Sequence, residues 1–183
     1  MAENDNQART VSESAKDGGL VDVKSLVLLA ILLAAGFILN LTIGNALAMT
    51  GIKPQFIIAA YALAILLTDA GVGQAALYGV IAACVCQLST SVPGLNFLSE
   101  TVAAVIMALL VKTGIGGKRL NPLVATFVTT LVSGALFAVG GTLIAGFALA
   151  TAVVKVPMVL GTAVFDAVVV QLLAIPLGRV FQK

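Results

Sequence analysis

The 183-residue sequence contains no histidine. That absence removes imidazole as a general base, the usual histidine ligands of metal sites, and serine–histidine hydrolysis. Charge is nearly as scarce, at 10% of residues against 60% hydrophobic. With a mean hydropathy of +1.13, the chain cannot present a water-facing surface, and its solvent must be lipid. The net charge of +2 is small and the ten basic residues are scattered, which argues against a nucleic-acid partner. Cysteine is limited to Cys84 and Cys86. On a helix two residues apart point about 200° from each other, so the pair can neither close a disulfide nor share a metal, and both read as small core residues. No glycine-rich phosphate loop with its Lys and Ser/Thr is present, so any dependence on ATP must come from a partner. Nothing here calls for a metal or a cofactor.

What the chain does have is a series of apolar runs. Those of roughly 17 to 25 residues are long enough, at about 1.5 Å per residue, to cross a hydrocarbon core about 30 Å thick. Helices are predicted at 25–43, 55–68, 72–88, 97–111, 122–139 and 157–180. The expected fold is an all-α integral membrane protein, six transmembrane helices in one bundle spanning residues 24–183. Pro54, Pro122 and Pro157 stand at or just before helix starts, where a missing amide donor costs nothing. Gly114 to Gly117 marks a loop. The second and fourth helices are short, which predicts interfacial flanks or local bilayer thinning around them.

Residues 1–23 are rich in Asn, Asp, Glu, Ser and Gly and predict a disordered cytoplasmic tail. Acidic residues precede the first apolar run, which is not the pattern of a signal peptide. Residues 142–154 are also apolar. With six crossings and the N-terminus inside, Arg9, Lys16, Lys24, Lys112, Lys118, Arg119, Arg179 and Lys183 fall inside, and only Lys53 and Lys155 fall outside. This partition obeys the positive-inside rule. A seventh crossing would spoil it, so residues 142–154 read as a re-entrant or surface-lying hairpin.

Ionisable groups within such helices cost roughly 2.5 to 3.5 kcal/mol each on insertion scales and are functional candidates by default. Asp166 lies near the centre of the last helix. Glu100 is a turn into the fourth, with Asn96 four residues earlier on the same face. Lys53, Asn96, Glu100, Lys155 and Asp166 fall in the outer half, where they can converge on one cavity. Two acids and two bases suit a zwitterion, held by charge-assisted hydrogen bonds at both ends. The structural readings are that Lys53 and Lys155 snorkel to the headgroups and that Glu100 or Asp166 forms a buried pair with a lysine. Asp69 reads as a helix N-cap or turn residue. Phe56, Tyr61, Tyr78, Phe97 and Phe165 read as core or lipid-facing, with one or two of them able to stack on an aromatic ligand. Ser89 to Gly94 is a tight outer turn that could line a ligand mouth. On the first helix Ala30 and Ala34 share a face, with Ala35 and Gly36 alongside, which lets another helix approach closely.

Taken together these features resemble the substrate-binding S components of energy-coupling factor (ECF) transporters, through the hydrophobic body from about residue 24 to 181. Within that group the chain looks most like the tryptophan-transporter S components, through Ile52-Lys53-Pro54-Gln55-Phe56 and Ser89-Thr90-Ser91-Val92-Pro93-Gly94. The resemblance implies six helices in the plasma membrane with both ends cytoplasmic, and a micronutrient, amino-acid-like or aromatic, bound from outside. It makes Lys53, Asn96 and Glu100 binding positions. It also implies docking of the Ala30-to-Ala34 face on a transmembrane coupling subunit that works with two ATPase subunits. A stand-alone carrier driven by an ion or proton gradient, with Asp166 or Glu100 titrating, stays open. A membrane enzyme ranks last, for want of a nucleophile and base or a metal cluster.

Overall fold

The computed structural model describes residues 22–115 and 117–181. The tail expected over residues 1–23 lies outside the described residues as far as residue 21, as does Lys183. Six helices are seen: α1 (Val23–Ala48), α2 (Phe56–Thr68), α3 (Val72–Cys86), α4 (Leu95–Thr113), α5 (Gly117–Ile144) and α6 (Val156–Phe181). They alternate in direction, each packing against its neighbours in sequence. No strand occurs among the described residues.

The bundle has an apolar core with polar groups buried inside it, and its outer surface is apolar too. Thr126, Thr129, Thr130, Ser133, Glu100 and Asp166 are buried, while Val27, Ile31 and Ile38 of α1 and Val164, Val168 and Leu172 of α6 are exposed. So much exposed aliphatic surface is not tolerated in water. Four stretches, Val23–Ala48, Leu95–Thr113, Leu120–Ile144 and Leu149–Arg179, are long and apolar enough to cross a membrane.

The short α2 is the centre of the bundle. Every residue from Phe56 to Ile65 is buried, and α2 touches all five other helices. Its 13 residues reach only about 20 Å, but a helix enclosed by others does not meet lipid along its sides. The thinning predicted around it is therefore unnecessary. Gly36 makes this enclosure possible on one side, since a Cβ there would stand 2.7 Å from the Phe56 carbonyl oxygen. Gly36 thus belongs to the inward face of α1, with Leu29 and Leu33, whereas Ala30, Ala34 and Ala35 are exposed on the outward one.

Several local features differ from expectation. Helix α5 starts at Gly117, so Pro122 lies inside it. Pro122 has no amide to donate, and the following amide, Leu123 N–H, donates to Gln171 Oε1 of α6 at 3.1 Å. A neighbouring helix here satisfies backbone that proline leaves without its usual register. Residues 142–154 do not form a hairpin of their own. Helix α5 continues to Ile144, and a 3₁₀ segment, Leu149–Lys155, leads directly into α6. Of the two readings of Asp69 the turn one holds, since it closes α2 in the left-handed conformation with φ 48°, while the N-cap of α3 is Gly71. Cys84 is exposed and Cys86 half-buried, both as free thiols, so Cys84 is not a core residue.

Candidate functional site

One end of the bundle is formed by the start of α2, α4 and α6 and the finish of α1, α3 and α5. At this end lies a cavity of about 320 Å³, at the small end of the roughly 300–1,000 Å³ typical of ligand sites. Lys53, Asn96, Glu100 and Lys155 all line it, joined by Ser89, Thr90 and Ser91 of the α3–α4 turn. Four of the five charged or amide positions singled out from sequence thus meet in one space, and Asp166 stands behind its wall.

Glu100 is held deep in this site by three helices. Ser133 Oγ of α5 donates to Oε1 at 2.8 Å, Ser99 Oγ to the same atom at 3.1 Å, and Tyr61 Oη of α2 to Oε2 at 3.1 Å. A carboxylate offers about four acceptor sites, so one on Oε2 is left for a ligand donor. The turn carrying Glu100 is pressed close to α3 by Gly79. A Cβ there would come within 2.7 Å of Thr101 Cα and 2.8 Å of the Glu100 carbonyl oxygen, an approach only glycine allows.

Glu100 and Asp166 are 5% and 0% exposed, yet neither pairs with a lysine. Among the described residues no cation lies in ion-pair contact with either. Lys155 Nζ instead donates to Thr142 Oγ1 at 3.2 Å, and Asp166 Oδ1 accepts the Gln55 amide at 3.1 Å. A buried Lys155–Asp166 pair does not form among the described residues. Lys53 is half-buried at the cavity wall, with no hydrogen-bond partner for its side chain among the described residues.

Other wall residues were not anticipated. Asn40 opens a π-helical segment, Asn40–Gly44, inside α1, and such bulges recur at functional sites. Its Oδ1 is buried without a partner, as is Asn96 Nδ2, so the wall holds both an unused acceptor and an unused donor. Gln55, Thr130, Ser133, Phe137, Met158 and Thr162 complete much of the lining. An asparagine within an otherwise apolar run was the available signal for Asn40. The helical hydroxyls Thr130, Ser133 and Thr162 gave none, because threonine and serine on membrane helices commonly bond their own backbone, as Thr68 and Thr142 do here. Phe56 and Phe165 stack edge-to-face on one another, with centroids 5.9 Å apart, and leave Phe137 as the aromatic ring at the cavity.

No curated protein and no solved structure matches the chain. A family model, that of the tryptophan transporter TrpP, matches residues 22–179, the whole bundle and therefore every wall of the cavity. The chain belongs to the tryptophan transporter (TrpP) family.

Proposed function

We propose that this protein is the membrane-embedded substrate-binding subunit of an ATP-driven ECF-type importer, taking up tryptophan or a closely related aromatic zwitterion from outside the cell. The observation that carries the reading is the meeting of Lys53 and Glu100, opposite in charge and unpaired with each other, in one small cavity. Each needs a counter-charge that the described chain does not supply, and an amino acid brings one of each sign. Lys53, helped by Lys155 and the Asn96 amide, meets the carboxylate. The ammonium takes the unused acceptor site on Glu100, and Phe137 and Met158 flank the side chain, with the Asn40 oxygen available to an indole N–H. The six helices cross the plasma membrane with both termini cytoplasmic, so the cavity opens outward.

The coupling half of the proposal rests on α1. Ala30 and Ala34 are exposed on its outward side, and small residues permit the close approach of a transmembrane coupling subunit, itself driven by two ATPase subunits. A gradient-driven carrier would share the cavity but not the need for partners.

Calorimetric titration of the detergent-purified protein with tryptophan and other amino acids tests the site. Removing one partner of a buried charge pair costs about 2 to 5 kcal/mol, so Lys53→Ala or Glu100→Ala is expected to weaken binding by roughly 30-fold or more. Unchanged affinity in both variants would exclude this site. Affinity capture tests the coupling: Ala34→Arg protein should lose the ATPase subunits while still binding ligand. Retention of those subunits, or transport by the protein alone in liposomes under an ion gradient, would favour the stand-alone carrier.

A further inference from the structure

The Lys53–Pro54–Gln55 segment is gripped from α6 by two side chains one helical turn apart. Thr162 Oγ1 donates to the Lys53 carbonyl at 3.0 Å, and Asp166 Oδ1 accepts the Gln55 N–H at 3.1 Å. Pro54, between them, has no amide of its own. On the far side the segment rests against α1, where a Cβ on Gly44 would lie 3.3 Å from the Pro54 carbonyl oxygen. The segment is therefore fixed by α6 at Lys53 and Gln55 and closely approached by α1 at Pro54, while the Lys53 side chain has no partner among the described residues at the cavity wall.

Asp166 itself is 0% exposed and does not line the cavity. One of its oxygens is committed to Gln55, and the other, Oδ2, has no hydrogen-bond partner. The Thr130 hydroxyl stands against the same carboxylate, close enough to interact with it. An acid that served as the ligand's counter-charge would face the ligand. This one faces the peptide bond that follows Pro54.

Building on the reading of Lys53 as the carboxylate partner, we propose that Asp166, seconded by Thr162, is a positioning residue for substrate recognition. It fixes the backbone from which Lys53 reaches the ligand's carboxylate and makes no contact with the ligand. What the position requires is then an acceptor at Oδ1, not a negative charge. Asparagine supplies that acceptor, and its Nδ2 would have the Thr130 hydroxyl beside it.

The test compares binding of tryptophan and of tryptophan amide, which lacks the carboxylate charge, to the detergent-purified full chain. The parent is expected to prefer tryptophan, through Lys53. Asp166→Leu should lower tryptophan affinity about tenfold and leave the amide nearly unaffected, collapsing the preference, since a lost hydrogen bond at the clamp misplaces Lys53. Asp166→Asn should restore the preference, and Thr162→Val should reduce it about threefold. In a Lys53→Ala background, Asp166→Leu should change the preference no further, because the two act through one group. The proposal is overturned if Asp166→Asn loses the preference as Leu does, for then the charge itself is used. Equal weakening of both ligands overturns it too, for that marks a merely structural role. If Asp166→Leu does not fold, Asp166→Asn and Thr162→Val decide alone: loss of the preference in the first, or no change in the second, overturns it. A parent that binds both ligands equally removes the Lys53 reading and this one with it, and is seen before any variant is made.

Discussion

Glu100 and Asp166 are both buried acids on helices of the same bundle, and neither touches a cation among the described residues. Their surroundings differ in kind. Glu100 gathers side-chain hydroxyls from three helices and reaches the cavity, whereas Asp166 spends one oxygen on a backbone amide and stays behind the wall. Burial makes each an expensive group to keep, so each implies a use, but only the partners say which use. Hydroxyl donors leave an acid able to take a further donor from a ligand. A peptide amide commits it to shaping the chain.

The same chemical change made at both positions tests that contrast most severely. Glu100→Gln replaces an acceptor by a donor that faces a ligand ammonium, and tryptophan binding should fall by roughly 30-fold or more in calorimetry. Asp166→Asn should cost less than about threefold. Equal losses would erase the distinction drawn here. Next in size is the backbone support. Gly79→Val drives a side chain into the α4 backbone beside Glu100 and should destabilise the fold by about 1 to 3 kcal/mol, read as a lower unfolding midpoint in detergent. Gly161→Ala, beside the Asp166 clamp, meets only the Ile52 side chain, nearest at Cγ1 at 3.2 Å, and no backbone, and should be far milder. A smaller effect is expected from Tyr61→Phe, which removes one of the three hydroxyls at Glu100 and should cost about 1 kcal/mol of stability.

The smallest effect lies outside both sites. Asp22 caps α1 by accepting from Ser25 Oγ and from the Ser25 and Lys24 amides, and the Ser25 hydrogen bonds hold its carboxyl below the ordinary aspartate value. Its folded pKa is lowered, so its contribution is present above the unfolded value of about 3.9 and is lost as pH falls through the folded one. Asp22→Ala should therefore lower the melting temperature slightly at neutral pH, and the gap from the parent should close in acid below that value. A gap that persists unchanged there would remove the capping role.

Much of this was legible from residue types and spacing. Continuous apolar runs mark helices in lipid whatever their partners, so four helices agree with the predicted runs to within two residues, while α1 runs five residues past its predicted end and α5 extends five residues beyond its predicted run at each end. Charged and amide residues are so costly there that Lys53, Asn96, Glu100, Lys155 and Asp166 stood out without a structure. Spacing along the chain did not separate Asp166 from the others, because which face of α6 meets the cavity is set by its packing against the other helices. Pro122 misled for a related reason, since the Gln171 side chain that accommodates it is 48 residues beyond Leu123. The hydroxyl shell of Glu100 was illegible because only tertiary packing distinguishes Ser133 from a hydroxyl bonded to its own helix.

The enclosure of α2 has a consequence for how the protein is made. In the chain it precedes α4 and α6, so the surfaces that cover it are synthesised after it. Until then its buried Tyr61 has no Glu100 to meet, and the Gln55 amide has no Asp166. A newly made α2 therefore waits without its polar partners until α6 has been synthesised and can close over it.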